Sequence, residues 1–374
     1  MEQAHAGSQP SFGGLRATIG AGERAASSPA ERRLPDLRVL ASIGIVLVVV
    51  GHSFPDLSAE AAGVGAARTL KTIIYVFHMP LFFYMSGFLL QNWVEARSAG
   101  MRMRRLDRLT AGELMARRFR RILVPYAVIS TCVFPIKALL AHRAHNPVDF
   151  STLGYLRSLA LPPENPIDFF WFLPTLFGVT LIGILLSPLV RERFHLILVA
   201  VTAAALVFHH QLPTRSDTLL NVAGALHSFV FFWVGMLHRH FRARVEPMLE
   251  RLQHPAVIGL LIAAPVAVGL FSLTKLWALQ VGASFAGILA CLLAARAYVT
   301  HELSFLDPLH GQSFRIYLLS WFPQVACRVL LFETGLLGFW PTAACMCVTG
   351  LVVPILVGKA AARTAPRLAE IAQI

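Results

Sequence analysis

Charge is scarce in this sequence. Charged residues make up 14% of its 374 positions, against roughly 25% in an average soluble chain. Hydrophobic residues make up 56% and the mean hydropathy is +0.63. A globule of that composition has too little polar surface to face water, which excludes a soluble enzyme. The same figures exclude intrinsic disorder, a coiled coil and a secreted disulfide scaffold. Cysteine is also sparse: Cys132, Cys291, Cys327, Cys345 and Cys347 are odd in number, lie in apolar stretches and have no metal-ligand spacing. They read as small buried hydrophobes, so neither a disulfide framework nor a metal site is expected. The first 34 residues lack any apolar run and are rich in Ala, Gly, Ser and Arg. They are expected to form a disordered cytoplasmic tail, not a cleaved signal peptide, which needs a hydrophobic centre. Long hydrophilic stretches are missing as well, so any chemistry must use residues inside or at the edges of a membrane bundle.

What the sequence has in quantity is apolar runs long enough to cross ~30 Å of hydrocarbon. They fall near 37–54, 70–92, 122–141, 169–190, 195–210, 219–238, 255–274, 276–297, 313–332 and 338–358. The expected fold is therefore an all-α polytopic transmembrane bundle of about ten spanning helices. The fifth run is short, and the join between the seventh and eighth is tight. The net charge of +13 reads as topology, because Lys and Arg cluster on the cytoplasmic side of membrane proteins; nucleic-acid binding is not expected. With both termini inside, 25 of the 33 basic residues fall on the inner side. The outer eight are Arg68, Lys71, Lys137, Arg143, Arg157, Arg215, Lys275 and Arg328. The expected organisation is a tail over 1–34, a transmembrane domain over 35–358 and a cytoplasmic tail over 359–374.

Ionisable groups inside a membrane are costly and mark functional sites by default. His52 closes the apolar run from Ile43, and Arg38 stands 14 residues earlier on the same helix. At 3.6 residues per turn the two differ by about 40° in azimuth and roughly 21 Å in height, so they share a face without touching. The bland alternatives are a histidine meeting headgroups and a snorkelling arginine. In the second run, His78 precedes Pro80, which removes a backbone donor and opens the helix locally. His78, Phe82 and Ser86 repeat every four residues and line one stripe, while Gly87 allows close helix packing. The segment Arg97–Arg121 carries nine arginines and no lysine. It ends in Arg117, Arg118, Arg120 and Arg121, whose guanidiniums offer paired donors to phosphate oxygens. Topology and anionic-lipid binding are the alternative for this cluster.

Four stretches, taken together, resemble the acyltransferase family 3 membrane proteins, especially the branch that acetylates sugars of bacterial surface and exported polysaccharides. They are Arg38-Val-Leu-Ala41 running to Gly51-His52, then Phe77-His-Met-Pro-Leu-Phe-Phe-Tyr-Met-Ser-Gly-Phe88, then Arg117 to Tyr126, then Trp171-Phe-Leu-Pro174. The resemblance spans residues 35 to about 358. It implies a ten-helix integral membrane protein of the bacterial inner membrane. Such a protein takes an acyl group, commonly acetyl, from acyl-CoA at the cytoplasmic face. It passes the group to a hydroxyl of a glycan or lipid-linked sugar on the outer side, with no permanently bound cofactor. His52 maps to the family's first-helix histidine, the catalytic base or a transient acyl carrier, and the arginine-rich end of the inner loop would hold the CoA phosphates. Two positions depart from the family's usual residues. The basic residue eleven positions before the histidine is replaced by Ala41, with Arg38 one turn further away. The late-helix motif Ser313-Phe-Arg-Ile-Tyr-Leu-Leu-Ser320 ends in serine where the family usually has histidine.

Acyl transfer from a thioester to an alcohol needs a base for the hydroxyl and a donor for the developing oxyanion. His52 is the first-helix group that titrates near neutral pH. His78, Ser86 or Tyr84 would supply the hydrogen bond, and Trp171 can stack on a sugar ring. Two rival readings stand beside this one. One is a transporter or flippase of glycan precursors, although no internal repeat of the transporter kind is evident. The other is a non-catalytic relative acting in polysaccharide assembly. Nothing in the sequence sets the oligomeric state.

Overall fold

A computed structural model of the chain describes residues 35–56, 58, 63–98, 110–139, 149–190, 195–271 and 273–364. The expected N-terminal tail, most of the arginine-rich loop before residue 110 and the last ten residues lie outside the described residues. Among the described residues there is no strand.

Helix α1, Pro35–His52, opens on proline, which suits a first helical position because its missing N–H would be unbonded there anyway. It runs through an apolar segment and stops before Pro55, whose ring disfavours helical geometry at Phe54. Helix α2, Val64–Ser98, is 35 residues long and passes through Pro80. Helix α3, Ala111–Leu139, starts from a reciprocal capping box: the Thr110 N–H donates to Glu113 and the Glu113 N–H donates to the Thr110 hydroxyl, satisfying two otherwise orphan donors. A short helix α4, Thr152–Ala160, and a 3₁₀ turn, Asp168–Trp171, lead into α5, Phe172–Leu186. Then follow α6, His195–Gln211; α7, Val222–His240; α8, Arg242–Arg251; α9, Pro255–Leu270; and α10, Trp277–Thr300. The last are α11, Ser313–Leu319; α12, Trp321–Cys327, continued by a π turn; and α13, Phe339–Thr364.

The all-α membrane bundle is as expected, with slightly fewer clear spans than ten. Among the described residues six helices are long and apolar enough to cross a membrane, or up to eight if each of two bent pairs is one span. The bent pairs are α8 with α9, at 103°, and α11 with α12 and its π turn, at 45°. The remaining two apolar runs form α1, of 18 residues, and α6, of 17 residues. Large apolar side chains such as Leu185, Leu196, Leu260, Val348 and Leu356 face outward. In quantity that surface suits hydrocarbon better than water.

The centre of the bundle is α2 against α7. A Cβ added at Gly87 would collide with the backbone carbonyl of Phe232, and one at Gly235 with that of Tyr84. Each helix thus lays its backbone against the other's glycine, which is the packing notch expected of Gly87. Phe83, Leu81 and Leu90 of α2 and Phe232, Trp233 and Met236 of α7 are fully buried around this crossing.

At the Pro35 end of α1 two networks pair charged groups with one another. Arg296 of α10 bonds Glu246 of α8 at 2.5 Å and lies 3.9 Å from Asp36 of α1. Glu246 also takes Arg242 at 2.6 Å. Arg239 bonds Glu95 of α2 at 2.6 Å and donates to Asn92, with His240 3.3 Å from the same carboxylate. These pairs tie the ends of five helices together.

Candidate active site

The opposite end of α1 opens into a cavity of about 580 Å³. His52, His78, Tyr75 and Trp171 all line it, together with Phe169, Lys71, Arg215, His209, His227 and Arg328. His52 is carried there by α1 and His78 by the middle of α2. Lys71, Tyr75 and His78 are spaced by four and three residues, so they form one face of α2. The Lys71 ammonium sits 5.0 Å from the Tyr75 ring centre, and the Tyr75 and His78 rings are 4.7 Å apart.

Contacts around His52 fix its ring. Phe169 packs on it at 5.0 Å between centres, and Tyr75 at 5.8 Å. The Tyr75 hydroxyl lies 3.4 Å from each imidazole nitrogen and 3.4 Å from the Gly51 carbonyl. Those distances are long for hydrogen bonds, and so the hydroxyl stands over the ring edge ready to shorten one of them. Gly51 itself faces the Tyr75 ring, where a Cβ would come within 2.8 Å; the missing side chain is what admits the tyrosine beside His52. Behind Phe169, the buried Tyr317 of α11 donates to the Phe169 carbonyl at 2.6 Å. This bond anchors the 3₁₀ turn whose ring packs on the histidine.

His78 is 2% exposed, and its Nδ1 lies 2.9 Å from the Ile74 carbonyl. A carbonyl can only accept, so Nδ1 carries the hydrogen and Nε2 of the neutral ring is an acceptor. A neutral His78 therefore offers a lone pair and not a donor. The Tyr75 hydroxyl is the donor that the cavity presents between the two imidazoles.

The other expected residues lie elsewhere. The Tyr84 hydroxyl is in contact with His238 Nδ1 inside the α2–α7 packing, and neither Tyr84 nor Ser86 lines the cavity. Phe82 of the same stripe packs into the space left by Gly44 of α1. Arg38 is near the other end of α1 and its Nε is buried without a hydrogen-bond partner. Arg117 and Arg120 are exposed on the first turns of α3, Arg118 is half-buried, and Arg121 lies 5.8 Å over the Phe314 ring of α11. Ser313, next to that phenylalanine, donates to the Ala41 carbonyl at 3.1 Å. The arginine cluster and Arg38 thus belong to the same end of the bundle, away from His52.

A family described as an acyltransferase domain, acyltransferase family 3, matches residues 35–359. The chain belongs to that family. It is accordingly an integral membrane acyltransferase in its general class. No curated protein and no solved structure matches it. The two positions where this member of acyltransferase family 3 departs from the usual residues have distinct surroundings. Ala41 is buried under α11, with Ser313 bonded to its carbonyl. Ser320 is buried at the bend between α11 and α12 and does not line the cavity. One turn on, Gln324 does, and its amide donates at 3.0 Å to both the Val49 carbonyl and the Ser53 hydroxyl. That side chain pins α12 to the last turn of α1, just below His52.

Sequence reasoning alone missed Tyr75, Lys71, Arg215, Arg328 and the pair His209–His227. Tyr75 and Lys71 had a signal, since both fall on the His78 face of one helix. The pair had none, because its partners come together only when α6 packs on α7.

Proposed function

We propose that this protein moves an acyl group, acetyl being the expected one, from acyl-CoA at the cytoplasmic face to a hydroxyl of a glycan on the outer face of a bacterial inner membrane. The observation that carries the reading is the cavity that joins His52, His78 and Tyr75 with Trp171 at the end of α1 opposite the arginine cluster. The acceptor enters from the His52 end and acyl-CoA from the Arg38 end, its phosphates held by Arg117, Arg118, Arg120 and Arg121. Neutral His52 takes the proton of the acceptor hydroxyl as its oxygen attacks the thioester carbonyl. The carbonyl oxygen, turning anionic, accepts from the Tyr75 hydroxyl. The tetrahedral centre collapses, the carbon–sulfur bond breaks, and His52 returns the proton to the departing CoA thiolate, leaving the ester and the free thiol. His78 accepts from an acceptor hydroxyl through Nε2 and orients it, and Trp171 stacks on a sugar ring.

The test is acyl transfer by purified His52→Ala in lipid nanodiscs, at equal folded abundance. A positioned base contributes ~10²–10⁴-fold in rate, and the variant is expected to lose that much. His78→Ala is expected to lose less. Transfer by His52→Ala within a few-fold of the parent would make the histidine structural. A transporter of glycan precursors and a non-catalytic relative in polysaccharide assembly are the readings left if the parent, correctly folded, consumes no acyl-CoA.

A further inference from the structure

Arg215 lines the cavity from the connection between α6 and α7, residues 212–221. The side chains that hold residues 212–216 bracket it from both sides. Asn221 is fully buried and adopts a left-handed backbone, φ 56°. Its amide donates to the Thr214 carbonyl at 2.9 Å and to the Thr175 hydroxyl at 2.7 Å, and its oxygen accepts from the Ser216 N–H at 3.0 Å. The peptide groups on either side of Arg215 are thus fastened to one buried asparagine. His227 adds a second clamp, with Nδ1 2.7 Å from the Leu212 carbonyl and Nε2 3.1 Å from the Thr214 hydroxyl. The His209 ring lies 4.0 Å from that of His227, and its Nδ1 bonds the His227 carbonyl at 2.8 Å. A left-handed backbone is disfavoured for a non-glycine residue, so the loop is held in one shape against a local preference. That shape places Arg215, an exposed residue, in the lining of the cavity.

The charge balance of the cavity points the same way. Among the described residues its cations are Lys71, Arg215 and Arg328, and its one carboxylate is Asp168. Asp168 has Lys137 as a charged neighbour, and Arg328 has Glu333 at 3.3 Å. Among the described residues no carboxylate pairs with Lys71 or Arg215. This contrasts with the far end of the bundle, where Arg239, Arg242 and Arg296 each bond a carboxylate. Two cations left without counter-charge in a concave wall, one of them on a clamped loop, are arranged for an oxyanion that arrives with the ligand.

We propose that Arg215 and Lys71 form an anion subsite for the acceptor, and that the acceptor is an acidic glycan carrying a carboxylate or phosphate near the hydroxyl to be acylated. The inference rests on the acyl-transfer reading for its name of acceptor, but its physical content is binding. The anion fixes the sugar's register over His52, so that one hydroxyl and not its neighbours meets the base. The same chemistry fits a uronate carboxylate in the glycan or the phosphate of a lipid-linked sugar, and the experiment separates the two.

Binding is read by quenching of tryptophan fluorescence, since Trp171 and Trp321 line the cavity, on the full chain in nanodiscs without donor. The probes are tetragalacturonate, maltotetraose and a polyprenyl-phosphate glucose. Tetragalacturonate or the lipid phosphate is expected to bind at least ~10-fold more tightly than maltotetraose, with an affinity that falls as salt rises. Whichever anionic probe is preferred identifies the source of the charge. Arg215→Gln is expected to abolish the preference while leaving maltotetraose unchanged, Arg215→Lys to restore it in part, and Lys71→Gln to weaken it. Equal binding of charged and neutral probes by the parent, no binding of any probe at millimolar concentration, or a preference that survives the Arg215→Gln, Lys71→Gln double variant would overturn the proposal. A preserved preference with no transfer from acetyl-CoA to any probe would instead overturn the transferase reading and leave the anion subsite standing.

Discussion

The two ends of this bundle carry the same kinds of charged side chain and use them oppositely. At the Pro35 end, Arg239, Arg242 and Arg296 meet Glu95 and Glu246 at 2.5–2.6 Å, and the groups are spent on one another. At the His52 end, Lys71 and Arg215 face a cavity with no paired carboxylate, beside imidazoles whose hydrogen bonds go to backbone carbonyls. Paired charges hold helices together at one end; at the other, Lys71 and Arg215 form the anion subsite proposed above.

Breaking the paired end should cost stability and not chemistry. Removing one partner of a buried ion pair costs roughly 3–5 kcal/mol because the other charge is left unpaired. Arg296 is 8% exposed but keeps Asp36 3.9 Å away as a second carboxylate, so Glu246→Gln is expected to fall near the lower bound, about 3 kcal/mol. Thermal unfolding in detergent should show a clear fall in midpoint, while folded protein below that temperature still transfers acyl groups. Loss of turnover without loss of stability would mean the network belongs to the donor site.

A smaller effect is expected at the arginine cluster. Changing Arg117, Arg118, Arg120 and Arg121 together to Gln should weaken acyl-CoA binding at least ~10-fold, since one charge-assisted hydrogen bond is worth about 1.5 kcal/mol or more. Lysine at the same four positions should recover part of it, lacking the paired contact. Unchanged acyl-CoA affinity in the correctly inserted Gln variant would leave the cluster a topological signal only.

The smallest is at Tyr75. Tyr75→Phe keeps the ring against His52 and removes the hydroxyl, a change of about 1.5 kcal/mol, the low end for a hydrogen bond to a charged oxygen. The expected result is a rate lowered by roughly ten-fold with acyl-CoA affinity unchanged. An unaltered rate would remove Tyr75 as the donor to the carbonyl oxygen and leave the cavity with no assigned oxyanion partner.

The helical runs and the two rim histidines were legible in the sequence because a polar residue in an apolar run has no neighbours to hide among. His52 and His78 were found that way and line one cavity with Trp171, which stood out only through the family-like stretch Trp171–Pro174. The bends were not legible. Hydropathy reports that 255–274 and 313–332 are apolar, but not that α8 meets α9 at 103° or that α11 breaks at Ser320. Residues 242–251 read as an inner loop and form a helix, because Val245, Leu249 and their neighbours find a partner surface that periodicity cannot see. Tyr84 stood out as a polar group within the apolar run of α2, and its hydroxyl turns to His238, 154 residues away. Arg215 read as one more outer cation; its importance appears only when Asn221 is seen to clamp both flanking residues.

In the reading proposed above the two ends do different work, donor entering at one and acceptor at the other. Transfer across sealed vesicles holding the protein in a single orientation tests this, with Asp149→Cys labelling in a cysteine-free background reporting which face is outside. Acyl-CoA is supplied to one face and acceptor glycan to the other, then the two are exchanged. Ester is expected to form only when acyl-CoA meets the face carrying Arg117–Arg121 and the glycan meets the face carrying Arg215. Product formed with both substrates confined to one face, at a rate equal to that of the opposed arrangement, would contradict it.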